Sequence, residues 1–226
     1  MRRIWPTFLL LVITLALTGG AAGTRDAAVA LGVGSAKIDG VSGPGEWANA
    51  ACRDIQLNTA GGHTPATVCA MADVKFMYGL LRIKGPAGDL FSVTLALDQN
   101  ANGSVIADAG DDFLRYDKSF GFRDEAVVTG PDGGCKPSAT CEVPDVQLGG
   151  TRDIVGAVQR GRADTIIEIS HPLNSGDQWD VALRPGMEIH VFANVVFITN
   201  HQNYATHIPN DANSMILRVP VIGTGH

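Results

Sequence analysis

Apolar and polar residues alternate along most of this chain, and no segment holds a helical period for about ten residues or more. The clearest alternation runs over 188–198. Ile189, Val191, Ala193, Val195 and Phe197 fall on one side of an extended strand there, with Glu188, His190, Phe192, Asn194, Val196 and Ile198 on the other. The first side suits a core. The second mixes polar and aromatic groups, as a ligand-facing sheet or a partly covered outer sheet does. Further strands are predicted at 54–57, 67–71, 75–84, 90–97, 112–116, 119–123, 154–160, 165–170 and 215–221. Gly, Pro, Asn and Asp separate them. Over 168–186, for example, a short strand stops at Pro172, passes an Asn/Ser/Gly/Asp turn cluster and leads to the strand at 188. This rhythm predicts an all-β fold, an antiparallel, jelly-roll-like β-sandwich of roughly 9–11 strands rather than alternating α/β units.

The first 22 residues depart from that pattern. Arg2 and Arg3 precede an apolar run over 8–17 and the small residues Thr18 to Ala22, which reads as a secretory signal peptide too short to span a bilayer. Cleavage is expected after Ala22, with Ala30 as a second site farther from the apolar run. Residues 23–35 read as a flexible leader, 36–223 as a single β-sandwich domain and 129–153 as a disulfide-stapled insertion within it. No later segment reaches roughly 18 uninterrupted apolar residues. The chain is therefore expected to be exported, whether secreted, periplasmic or at the cell surface, with no membrane insertion after signal removal. Loss of the two leader arginines takes the formal charge from -6 to -8. A phosphate backbone is repelled by such a surface, so nucleic acid is not an expected partner.

Four cysteines, Cys52, Cys69, Cys135 and Cys141, in an exported chain point to disulfides. Three pairings exist. Proximity favours Cys135 with Cys141 across a short loop, and Cys52 with Cys69 across neighbouring strands. A zinc site on the cysteines lacks both a Cys-x-x-Cys pair and a closely spaced histidine pair.

The residues Ile38-Asp39-Gly40, Gly45-Glu46-Trp47-Ala48-Asn49-Ala50, Thr67-Val68 leading to Met77-Tyr78-Gly79-Leu80, an apolar strand ending at Asp98, and the stretch 168–186 follow one another in a set order. In that order they resemble the family 9 carbohydrate-binding modules and their DOMON-like relatives, over most of the mature chain. The resemblance implies a sandwich fold, a structural Trp47 and a glycan ligand whose ring stacks on aromatic side chains while polar neighbours bond its hydroxyls. Trp179 and Tyr204, with Asn203 beside the tyrosine, are the candidates; core packing at a sheet end remains open for both rings. The DOMON-like side implies haem b held non-covalently by Met and His, with Met71 and His190 as candidates and Met77 and His171 as neighbouring choices.

The sharpest chemical motif is Asp98-Gln99-Asn100-Ala101-Asn102-Gly103-Ser104. Oxygen ligands at alternating positions before a glycine suit a loop that wraps Ca²⁺, and Asp98, Asn100, Asn102, Asp108, Asp111 and Asp112 form the candidate set for a structural ion. Ala109 stands where a helix-flanked calcium loop has its closing Glu, so the reading is of a non-helical cage. A plain hairpin turn at Asn102-Gly103 is the other reading.

No nucleophile elbow, metalloprotease helix or phosphate-cradling glycine loop is present, so no catalytic residue is nominated. The sequence thus predicts an exported, non-catalytic module for carbohydrate with a calcium site. A haem-binding electron-transfer domain is the alternative, and an adhesion or scaffold domain without a small ligand is a third.

Overall fold

The computed structural model describes residues 29–98, 109–130, 136, 139–208 and 215–221. These contain fourteen strands: β1 (Val29–Ala30), β2 (Gly32–Val33), β3 (Ala51–Thr59), β4 (Gly62–Ala72), β5 (Phe76–Lys84), β6 (Leu90–Asp98), β7 (Asp112–Asp117), β8 (Gly121–Thr129), β9 (Thr140–Pro144), β10 (Val155–Arg160), β11 (Asp164–Pro172), β12 (Glu188–Thr199), β13 (Gln202–Ile208) and β14 (Met215–Arg218). One 3₁₀ turn, Asp145–Gln147, follows β9. No described helix is long and apolar enough to cross a membrane.

Two sheets result. The larger has the order β1-β14-β12-β6-β7-β8-β9, with β13 also paired to β12; the smaller has the order β10-β11-β5-β4-β2, with β3 also paired to β4. All pairs are antiparallel except two short parallel ones, β1 with β14 and β2 with β4. Strand alternation then decides what faces what. The expected apolar side of β12, with β6 Leu97, β7 Leu114, β5 Ile83 and β11 Ile167, fills the space between the sheets. Buried area of this kind supplies the main favourable term in folding.

The outer face of the smaller sheet is also buried. Trp47, Cys69, Met71, Tyr78 and Leu80 form a second cluster, packed by Ala36 and Ile38 of the preceding segment. Glu168 on β11 pins that segment. Its buried carboxylate accepts bonds from the backbone N–H of Gly40 at 2.8 Å, that of Asp39 at 3.2 Å and the indole Nε1–H of Trp47 at 3.2 Å. Trp47 is thus structural, as its motif implies. Cys52 and Cys69 sit opposite each other on β3 and β4 and are joined by a disulfide. Cys141 on β9 is disulfide-bonded as well; Cys135 lies outside the described residues.

Three expectations change. The leader is ordered from Val29 onward, because β1 and β2 extend one sheet each and Leu31 between them is buried in the core. The insertion is not only a surface excursion: β9 pairs with β8 along its whole length and forms the edge of the larger sheet. Segment 202–208, where no strand is predicted, is β13, paired with β12 through a two-residue turn at Asn200 and His201, both at positive φ. A turn of that type needs two such residues, and asparagine tolerates the conformation well. These short or polar edge strands account for the excess over the expected 9–11.

Candidate functional site

Alternation places three acidic side chains on the inner face of the larger sheet or its edge. In β7, Asp112 shares the side of Leu114 and Tyr116; in β8, Asp124 shares the side of Phe122, Ala126 and Val128. Asp145, directly after β9, follows the inward Val143. From the smaller sheet His171 projects inward, next in register after Ile167 and Ile169. The loop after β11 adds Asp180. All five are buried.

These groups converge. His171 Nε2 stands 3.5 Å from Asp124 Oδ2 and 3.6 Å from Asp180 Oδ2. Ligand atoms of Asp112, His171 and Asp180 lie within 4.8 Å of one another, as do those of Asp124, Asp145 and Asp180. A third set, Asp153, Asp177 and Asp180, leads outward from the same aspartate. Some oxygens are held by backbone: Asp112 Oδ2 accepts from Val181 N–H at 3.3 Å, and Asp124 Oδ2 from the N–H groups of Asp153 and Ile154 at 3.0 and 3.2 Å. No oxygen of Asp145 and no ring nitrogen of His171 makes a hydrogen bond of ordinary length; His171 Nε2 has its two ion-pair contacts, and the Asp145 carboxyl interacts with that of Asp180.

Such crowding shifts protonation. Burial pushes the Asp112 carboxyl up to about 8, against the pull of His171, and burial with the neighbouring carboxylates raises Asp145 too. Burial alone would lower the His171 imidazolium, but Asp124 and Asp180 outweigh it and raise it to about 10. Asp180 is held below the ordinary carboxylate range despite its burial, chiefly by His171.

Beside this cluster lies an open cleft. Trp179 packs against the edge group Ala126, Val128 and Val143, and lines a cleft of about 340 Å³ with Ala109, Gly110, the β8 residues Ala126 to Thr129 and Gln178. Its Nε1 has no acceptor. The loop carrying it is set by Asp177, which accepts from Trp179 N–H at 3.0 Å and whose other oxygen accepts from the N–H and hydroxyl of Thr151. Gly150 permits the close approach, since a Cβ there would lie 2.8 Å from Trp179 Cδ1.

The residues nominated from sequence are only partly brought together. Tyr204 on β13 turns inward opposite Phe197, packs on the core and donates its hydroxyl to Gln202 Oε1 at 2.8 Å, while Asn203 points the other way. Four strand spacings, roughly 20 Å, separate β13 from the β8 edge under Trp179. Asn203 and Tyr204 therefore share no sugar site with Trp179. Met71 and His190 are likewise apart: Met71 lies in the outer cluster of the smaller sheet, and His190 on the outer face of the larger one, so the whole sandwich stands between them. Met77 fills the core.

Of the calcium set, Asn100, Asn102 and Asp108 lie outside the described residues. Asp98, Asp111 and Asp112 are buried, but alternation sends Asp98 to the outer face beside Ala96 and Asp112 to the inner face with His171. Asp124, Asp145, His171 and Asp180 were not nominated as a set. A signal existed in β8, where Asp124 occupies an inward position between Phe122 and Ala126; nothing local to Asp145 or Asp180 marks their approach.

The fold has close counterparts among solved structures. A family 9 carbohydrate-binding module from Caldicellulosiruptor kristjanssonii in complex with glucose superimposes with a TM-score of 0.58 at 14% identity, over 88% of this chain and 98% of that one. Its complex with cellotriose gives 0.57 at 14% identity, over 87% and 95%. A carbohydrate-binding protein from Bacteroides uniformis ATCC 8492, described as putative in its own name, gives 0.53 at 6% identity, over 85% and 98%. No family model and no curated protein matches the sequence. The all-β, two-sheet architecture is that of these modules.

Proposed function

We propose that this protein is an exported, non-catalytic carbohydrate-binding module whose glycan site is the cleft beside Trp179. The observation that carries the reading is the placement of Trp179. It packs against the Ala126, Val128 and Val143 group and, with Gln178 and Thr129, lines the open cleft at that edge. An apolar ring face next to amide and hydroxyl groups is what a pyranose needs, since its C–H face stacks while its hydroxyls are bonded. The likeness to modules solved with glucose and cellotriose supports a glucose-type polysaccharide as the first ligand to try.

The test is retention on insoluble cellulose and titration calorimetry with cello-oligosaccharides. Trp179→Ala and Gln178→Ala should each weaken binding at least tenfold, about 1.4 kcal/mol. The fold of each variant is checked by circular dichroism. Unchanged retention of both folded variants sinks the assignment of this cleft, and absence of binding by the unaltered protein across cellulose, xylan and mannan sinks the glycan reading itself.

A further inference from the structure

We infer that the inter-sheet cluster of His171, Asp112, Asp124, Asp145 and Asp180 is a binding site for one divalent cation of the zinc or manganese type, with His171 Nε2 as its nitrogen ligand.

Four acids and one imidazole fill a space that is otherwise a hydrophobic core. Unpaired charge in such a place is costly, and it persists where it is compensated or bound to metal. The hydrogen bonding is incomplete in the manner a metal would complete. Neither oxygen of Asp145 and neither nitrogen of His171 makes a hydrogen bond of ordinary length, and each residue is at most 1% exposed.

Distances support a shared ion over direct pairing. An N–H···O bond brings its atoms to about 2.7–3.2 Å, whereas Asp124 and Asp180 stop at 3.5 and 3.6 Å from the same His171 nitrogen. Ligands 2.0–2.2 Å from a tetrahedral ion are about 3.4 Å from each other. His171 Nε2 thus stands from Asp124 Oδ2 and from Asp180 Oδ2 as one ligand stands from another; Asp112, His171 and Asp180 form one set of mutually close ligand atoms, and Asp124 and Asp145 join through Asp180, which belongs to both sets. Imidazole with carboxylates suits zinc or manganese; calcium takes oxygen ligands. Binding requires the neutral imidazole, so the proton of His171 leaves to solvent as the ion enters. The ion joins β7 and β8 of one sheet to β11 of the other, and to the loop that carries Trp179. It does not depend on whether the neighbouring cleft takes a sugar.

The experiment is elemental analysis of the full exported protein, purified without chelator or metal-affinity resin, followed by calorimetric melting after chelation and after return of Zn²⁺, Mn²⁺ or Ca²⁺ separately. About one zinc or manganese per chain is expected. Its removal lowers the melting temperature by roughly 5–10 °C, and Zn²⁺ or Mn²⁺ restores it. His171→Gln and Asp180→Asn lose the metal, while Asp98→Asn, on the outer face, keeps it. Should those variants fail to fold, Co²⁺ loading of the unaltered chain reads the same site: intense tetrahedral d–d bands are expected. A metal-free protein whose melting ignores all three ions overturns the inference. So does recovery by Ca²⁺ alone, or a metal lost in Asp98→Asn and kept in Asp180→Asn.

Discussion

Replacing Glu168 by Gln tests the anchor that holds the N-terminal segment against the smaller sheet. The carboxylate is fully buried and accepts from Gly40, Asp39 and Trp47. Glutamine keeps the shape but offers one acceptor oxygen. With that oxygen toward Gly40 and Asp39, the two bonds fall from charge-assisted to neutral strength, a loss of about 1 kcal/mol each. The amide NH₂ then faces the Trp47 Nε1–H, leaving a buried donor without acceptor at a cost of about 1–3 kcal/mol. The total is about 3–5 kcal/mol, or a melting temperature roughly 6–20 °C lower for a domain of this size. Guanidinium unfolding followed by tryptophan fluorescence measures it. Glu188→Gln is the control, because Glu188 pairs with Arg218 on the exposed surface and its loss should cost under about 1 kcal/mol. A Glu168→Gln effect under about 0.5 kcal/mol, the level of an ordinary surface change, refutes the anchoring argument.

Two further changes probe the packing that supports the site. A Cβ at Gly156 on β10 would fall 2.2–2.4 Å from the Phe122 ring, so Gly156→Ala should destabilise by about 1–3 kcal/mol through overpacking; a thermal melt equal to that of Gly88→Ala, where nothing lies within 4 Å, contradicts this. Cys52 and Cys69 are 17 residues apart in sequence. The double Cys→Ala variant should lose about 3 kcal/mol in denaturant unfolding, and a loss below about 1 kcal/mol would place the stabilising role of the bridge elsewhere.

Much of the architecture is written locally. Ten of the strands announce themselves because a half-buried strand must alternate apolar and polar residues, and the inward row of β12 from Ile189 to Phe197 is read directly. The edges were less legible. In β1, β2 and β9 the strands are two to five residues long, too short for a period to show, and β13 has few apolar positions because it borders solvent. The turn at Asn200 and His201 held the missing signal for β13, in residue types that accept positive φ.

The candidate sites divide in the same way. Trp179 was visible as an aromatic in a polar loop, but its cleft depends on Ala126 to Thr129 of β8 and on Gly110, far away in sequence. Sequence alone determined the sandwich, which follows from the alternation along each segment, and it carried the family resemblance that implied a structural Trp47 and put Trp179 forward as a sugar-stacking ring. Only the tertiary structure separated Tyr204 and Asn203 from Trp179, parted Met71 from His190 and gathered Asp112, Asp124, Asp145, His171 and Asp180. Which side chains meet across a sandwich is set by strand order and register, and those are fixed by pairings between segments that no local pattern encodes.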